Sequence, residues 1–204
     1  MANFCEMQEV ADVLQVAITD ADQAASCERA IVEATAAIRN YCHQTIELVA
    51  DDEYTFDVWS PCWKLFLPEL PVISVASVVE DEETLTVTDD YKLANHGQLV
   101  RVDQRWPVGV QIVTVTYTHG YATIPDDVVA VCARAAARRF QAGLKAADSD
   151  GVPGITAKAL GDFSVSFTSE AGGGMGEGLM GVSGARMLLL SEKDILDRYR
   201  YVGP

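Results

Sequence analysis

The sequence predicts an α+β protein: a helical bundle, built from an N-terminal helical hairpin and an Ala-rich helix, that carries an inserted antiparallel β domain and ends in a hairpin/short-helix arm. Three observations predict it. Apolar residues recur at intervals of three and four as far as Tyr41, the period falls to two between Tyr54 and Thr118, and helical spacing returns after Asp126. The expected organisation is a helical hairpin over residues 1–44 and a β domain over 45–122. A helix over 123–146 completes the bundle, and a flexible C-terminal arm follows over 147–204.

Each element follows from its residues. Val10, Val13, Leu14, Ala17 and Ile18 lie at helical spacing between Gln8 and Ile18, and Thr19-Asp20 stops that helix or caps the next. In the second helix Cys27, Ile31, Ala34, Ile38 and Tyr41 form one stripe, with Glu28, Arg29, Glu33 and Arg39 off it. Strands begin after Gln44, where Tyr54, Phe56 and Val58, then Trp63, Leu65 and Leu67, alternate with their neighbours. Pro61, Pro68 and Pro71 separate short segments, because proline cannot donate to a ladder. The β-branched run Val72 to Val79 reads as a central strand, and Glu80-Asp81-Glu82-Glu83 as a solvated turn. Tyr91 to Asn95, Gln98 to Val102 and Val110 to Thr118 complete a sheet of about five to seven strands. In the last of these Val113, Val115 and Tyr117 share the inward face, and Gly120 ends it where a positive φ is cheap.

Thr123-Ile124-Pro125-Asp126 reads as a helix start, with Thr123 as cap and Asp126 and Asp127 facing the positive end of the dipole. That helix is expected to run to about Gly143. Ala130 to Ala137 permit close approach of another helix, while Arg134, Arg138 and Arg139 project from the other side. Ala147 to Gly154 marks the boundary of the body. Beyond it Phe163, Val165 and Phe167 alternate with polar residues after the turn Gly161-Asp162, which gives a hairpin with one apolar face. Seven of the fifteen glycines lie between Ala171 and Gly184, a tether composition. Ser191-Glu192-Lys193-Asp194 then caps a helix bearing Ile195, Leu196 and Tyr199, too short to be stable without a surface to dock on.

Composition narrows the function. With 49% hydrophobic and 22% charged residues in 204, the chain is long enough for a full core. Its formal charge is −15, and residues 1–60 carry twelve acids against only Arg29 and Arg39. That balance argues against gripping nucleic acid, since phosphate contacts need Lys and Arg. Met1 to Glu6 lacks the basic and apolar regions of a signal peptide. Cys5, Cys27, Cys42, Cys62 and Cys132 are odd in number and without Cys-x-x-Cys spacing, as expected of reduced thiols in a protein made in the cytoplasm.

No motif points to chemistry. Gly172-Gly173-Gly174-Met175-Gly176 has neither the strand before it and helix after it of a dinucleotide site nor the Gly-Lys-Ser/Thr of a phosphate loop. His43, His96 and His119 form no His-x-x-x-His pair, and His119 reads as a local hydrogen-bonding residue of its turn. Asp51-Asp52-Glu53 lacks the spacing of a calcium loop. No serine lies in a Gly-x-Ser-x-Gly elbow, and Cys27 and Cys132 sit on apolar helix faces as small hydrophobes. Neither enzyme activity, cofactor nor metal is expected. Trp59, Trp63 and Trp106 offer either a ligand-stacking platform or packing groups.

An ordered series of segments carries a resemblance. It comprises the helix with Ile31, Ala34 and Ile38; Leu67-Pro68-Glu69-Leu70-Pro71-Val72-Ile73-Ser74-Val75; Tyr91 with Gly97-Gln98-Leu99-Val100-Arg101; and Val115 to Tyr121 leading into Ile124-Pro125-Asp126-Asp127-Val128. Over residues 8 to about 145 the chain resembles the head-to-tail adaptor (connector, head completion) proteins of long-tailed bacteriophages. The resemblance implies a structural virion protein in the head-tail neck. It implies a homo-oligomeric ring, twelvefold by analogy, beneath the portal protein and above a stopper or tail-terminator protein, with genomic DNA passing through without specific binding. Twelve such subunits would carry about −180, a wall that repels phosphate. Phe163, Val165, Phe167, Ile195, Leu196 and Tyr199 are the expected partner-docking residues. The competing readings are a neck stopper protein and a non-catalytic β domain that binds a small molecule or carbohydrate through its tryptophans.

Overall fold

The computed structural model describes residues 2–148, 157–160, 163–166 and 187–201. It holds α1 (Met7–Leu14), α2 (Ala21–Cys42), β1 (Val49–Val58), β2 (Lys64–Phe66), β3 (Val72–Glu80), β4 (Glu83–Thr84), β5 (Tyr91–Ala94), β6 (Gln98–Arg101), β7 (Gly109–His119), α3 (Asp126–Asp148), β8 (Ala157–Leu160), β9 (Phe163–Ser166) and α4 (Leu190–Leu196), with a 3-10 turn at Asp197–Tyr199. The chain is α+β, as its periodicities predict. Among the described residues no helix is long and apolar enough to cross a membrane.

The helices share one core. Asp20 caps α2 by accepting the Asp22 and Gln23 amides at 3.1 and 3.0 Å. Cys27, Ala30, Ile31, Ala34, Ile38 and Cys42 of α2 are buried with Val128, Val131, Cys132, Ala135, Ala136 and Phe140 of α3. Small residues on α3 let the two helices approach, since an alanine methyl sets a short interaxial distance. Helix α1 is shorter than its apolar pattern suggests: Gln15 takes a left-handed conformation at φ 57°, so Ala17 and Ile18 fall outside it. Helix α3 starts at Asp126, not at a Thr123 cap, and the Pro125 carbonyl accepts the Val128 and Val129 amides. It runs past Gly143 and includes Ala147 and Asp148, which the sequence reading gave to a boundary segment.

The β region is two sheets, not one. Strand order is β1-β7-β3-β4 in the first and β2-β6-β5 in the second. The fully flanked strand is β7, because β4 meets β3 only at Val79 and Glu80. Val113, Val115 and Tyr117 face inward as their alternation predicts, and pack with Val78, Leu65, Leu99 and Trp106 from both sheets. On the opposite face the hydroxyls of Thr55 and Thr114 lie 3.2 Å apart, and those of Ser77 and Thr116 3.1 Å apart. Glu80 is not part of a solvated turn. Its carboxylate receives Nε and a terminal nitrogen of buried Arg101, each at 3.2 Å, and so ties β3 of one sheet to β6 of the other. The reversal itself is made by Asp81 and Glu82 at positive φ.

One edge of the first sheet is β1. Register shifts interrupt its pairing with β7 next to Val49 and Val58, and Asp51, Glu53 and Asp57 are exposed along it. Asp57 accepts the Gln111 amide at 2.7 Å, which holds Gln111 at φ 54° opposite the second shift.

Helices and sheets meet around Gly120. The Gly120 amide donates to Pro71 O, ahead of β3, and the Tyr121 amide to Ile46 O, ahead of β1, both at 2.9 Å. Gly120 has φ 87°, and a Cβ there would lie 2.2 Å from Glu47 O. Beside it His119 is buried and its Nε2 lies 3.2 Å from Asp52 Oδ2 on β1, a cross-strand pair and not the local turn contact expected of it. Glu69 accepts the Thr45 amide at 2.7 Å. Burial pushes the Glu69 carboxyl above its usual range, with the neighbouring Asp52 and Glu47 charges adding to the effect.

Two glycines of positive φ are expected to respond differently to substitution. Gly120→Ala forces a methyl against a backbone carbonyl and should cost about 3 kcal/mol or more in denaturant unfolding. At Gly97 the nearest obstacle is the movable end of Leu70, at 2.7 Å. Gly97→Ala should therefore cost only about 1 kcal/mol, mostly backbone strain.

Because the folded-state pKa of Glu69 is raised, the native state holds more protons there than the unfolded chain. Its contribution to stability is therefore lost as pH rises through the carboxylate range. Glu69→Gln keeps an oxygen for the Thr45 amide and removes the charge. The melting temperature of the variant relative to wild type is expected to rise between about pH 4 and about pH 7. A constant difference across that range would show that Glu69 ionises normally.

Candidate assembly interface

The expected docking residues fall into two groups with different surroundings. Phe163 and Val165 lie on β9, opposite Leu160 and Lys158 of β8 in an antiparallel hairpin. Phe167 and the glycine-rich residues 171–184 are outside the described residues. The helical group is engaged within the chain itself. Leu196 is fully buried in the helical core, and Ile195 and Tyr199 pack against it. The helix face assigned to a partner is thus covered by the subunit's own α2 and α3. The physical reason is a set of polar anchors that fix where α4 lies.

Those anchors surround Glu192. It is 3% exposed, and its carboxylate accepts two hydrogen bonds from Arg138 at 2.7 and 2.6 Å and the Leu189 amide at 2.9 Å. A planar guanidinium meeting a carboxylate in this two-pronged way fixes direction as well as distance. The N-cap position is Leu189 and not Ser191, so Glu192 serves both as helix start and as ion-pair partner. Arg138 also donates to Met187 O at 2.9 Å, and Arg139 pairs with Glu33 of α2 at 2.5 Å. The arginines of α3 therefore clasp α4 and α2 instead of facing away.

The segment after α4 is fastened too. Tyr199 donates its hydroxyl to Asp127 at 2.7 Å, and burial with that bond pushes its pKa up. Tyr41 donates to Asp197 at 2.6 Å, a bond that raises the Tyr41 pKa. Tyr201 N bonds Cys42 O at 2.8 Å, and Gln44 donates to Tyr199 O. Sequence reasoning took Glu192 and Asp127 as cap and dipole residues. The available signal was the pair Arg134 and Arg138, one helical turn apart, which requires an acidic neighbour wherever it is half-buried.

The surface is more open at the end of the β region. Trp59 is 78% and Trp63 47% exposed, with Val108 just before β7 and Val110 at its start also exposed and the Arg105 guanidinium 5.6 Å from the Trp63 ring. Trp106 is fully buried, donating Nε1 to Leu99 O at 3.4 Å, so the three tryptophans do not form one stacking platform. Among the described residues no three His, Cys, Asp or Glu side chains group as a metal site. The hollows on the surface are shallow. One of about 480 Å³ lies between Gln44, Pro71, His96, Tyr121, Arg198 and Arg200, and it lacks a nucleophile paired with a base.

The head completion protein family model matches residues 3–134, which take in α1, α2, both sheets and the first turns of α3. No curated protein matches the sequence significantly. Among solved structures, a chain described as the neck of an empty GTA particle computed with C6 symmetry is similar, with a TM-score of 0.52 at 15% identity. The match covers 97% of this chain and 89% of that one. At that identity the likeness is one of fold. The family match, spanning well over half of the sequence and the whole junction around Gly120, carries the assignment: the chain belongs to the head completion protein family and is a structural protein of the bacteriophage virion.

Proposed function

We propose that this protein is the head-to-tail adaptor of the neck: a non-catalytic ring beneath the portal that joins the DNA-filled head to a stopper or tail protein and lines the DNA channel. The observation that carries this reading is the family match over residues 3–134, supported by a fold like that of a neck chain along nearly its whole length. Surface chemistry agrees with it. A formal charge of −15 per subunit disfavours contact with phosphate, so DNA passes the wall without being held. A helical body with a separately packed β region suits the task, since one part can meet the head while the other meets the tail. The sugar-binding alternative loses its main support because Trp106 belongs to the core.

Electron microscopy of portal-bearing heads incubated with the purified chain should show a closed ring seated directly on the portal. A neck of sixfold symmetry accommodates six or twelve copies, and twelve is the expected number. Density bound only beneath another ring would identify a stopper, and a single copy off the axis would overturn both neck readings.

The β8–β9 hairpin is proposed as the docking element, adding its strands to the portal with Phe163, Val165 and Phe167 as anchors. Phe163→Ala should leave the melting temperature unchanged and weaken attachment to portal-bearing heads by about 2 kcal/mol, roughly thirtyfold. Tyr199→Ala should do the reverse. It loses the Asp127 bond and packing on the core, and should lower stability by about 2 kcal/mol, with normal attachment of the folded fraction.

A further inference from the structure

The N-terminal segment ahead of α1 is held against the helical core by three unrelated contacts. Phe4 N donates to Thr35 Oγ1 at 3.2 Å, Arg39 donates to Ala2 O at 2.6 Å, and the Arg39 guanidinium lies 4.8 Å from the Phe4 ring. The next residue is Cys5. Its Sγ lies 3.2 Å from Cys132 Sγ on α3, a residue 127 positions away, and Thr35 Oγ1 is 3.6 Å from the same Cys132 sulfur. All five cysteines are free, and Cys5 and Cys132 meet inside the core that the N-terminal segment shares with α3. Sequence spacing gave no hint of a pair, because the two residues meet only after α3 packs on α2.

We propose that Cys5 and Cys132 are an oxidation site, at which a hydroperoxide converts the two thiols into a disulfide that locks the N-terminal segment onto α3. The Cys132 sulfur is the nucleophile toward the peroxide. It receives hydrogen bonds from the Cys5 thiol and from Thr35, and these hold its pKa below that of a free cysteine, whereas Cys5, the donor of the pair, is pushed up. A groove of about 610 Å³ lined by Asn3, Cys5, Glu9, Val129, Ala130 and Ala133 reaches the Cys5 side of the pair; Cys132 is fully buried behind it, so a molecule as small as hydrogen peroxide meets Cys132 through the Cys5 opening as the short N-terminal segment shifts. The Cys132 thiolate breaks the peroxide O–O bond, taking one oxygen as a sulfenic acid while the other leaves as hydroxide. The Cys5 sulfur then displaces the sulfenic oxygen, and its proton and solvent account for the two waters formed from two thiols and one peroxide. The sulfurs need to close by about 1 Å to reach bonding distance, a shift available to a short segment ahead of a helix.

The chemistry rests on this geometry and is independent of the adaptor reading. Its timing follows from the family: a virion protein is made among reducing thiols and then spends its functional life outside the cell. The lock is therefore absent while the subunit folds and assembles, and forms afterwards.

Full-length reduced protein treated with about equimolar hydrogen peroxide and digested without reduction should yield a Cys5–Cys132 linked peptide and a loss of about 2 Da. Cys27 and Cys42, buried elsewhere in the same core, should remain alkylatable after unfolding. Closing so long a loop should raise the melting temperature by about 5 °C or more, and reductant should reverse the shift. Cys5→Ser should abolish the link and leave Cys132 oxidised singly or not at all. Two free thiols at Cys5 and Cys132 after treatment, a link between subunits through either of them, or equal loss of Cys27 and Cys42 would each overturn the proposal; Cys62, the one partly exposed cysteine, is read separately. The Cys5→Ser and Cys132→Ser variants, each compared before and after peroxide, separate a missing lock from a damaged fold.

Discussion

The fold depends on one close approach. At Gly120 the chain leaves the central strand of the larger sheet and passes under the Glu47 carbonyl on its way to α3, with no room for a side chain. Three segments meet there: Ile46 and Glu47 before β1, Pro71 before β3, and Tyr121 after β7. Every crossing between the helical core and the β region on that side runs through this knot of backbone hydrogen bonds. Polar groups are drawn in beside it, with His119 buried against Asp52 and Glu69 held partly out of water. The β region keeps its own integrity through the buried Arg101 and Glu80 pair, which links its two sheets. The molecule thus has two cores with a polar, backbone-dominated seam between them.

Much of this was legible in the sequence because it follows from local periodicity. The stripe Cys27, Ile31, Ala34, Ile38 and the alternation Val113, Val115, Tyr117 dictate which faces are buried, and the structure buries them. Gly120 announced a positive φ by its position at a strand end. What local patterns do not encode is how strands partition. Seven alternating segments fit one sheet or two, and the choice is made by long-range pairing of β2 with β6 and by the Arg101 bridge. The same limit applies to Glu80, which sits in an acidic run and looks hydrated until the arginine of another strand is brought to it.

The tail shows the sharper version of that limit. Ile195, Leu196 and Tyr199 have the spacing of a docking face, and spacing alone does not say whether the surface they meet belongs to the same chain. The answer lay in charge. Glu192 is buried only because Arg138 waits for it, and an unpaired carboxylate in that place would be strongly disfavoured. The family match in turn rests on residues 3–134 and does not reach α4, so the clasp lies beyond the stretch that the family model matches.

The blunted edge of β1 has a consequence for how copies of this chain can associate. Exposed Asp51, Glu53 and Asp57 and two register shifts lie along this edge of the larger sheet. An uncharged, regular edge would invite sheet-to-sheet growth without end, in the manner of a fibre. Here such growth is opposed by like charge at Asp51, Glu53 and Asp57. Association is left to surfaces that can close on themselves, so a crowded pool of subunits is biased toward finite assemblies and away from open-ended polymers.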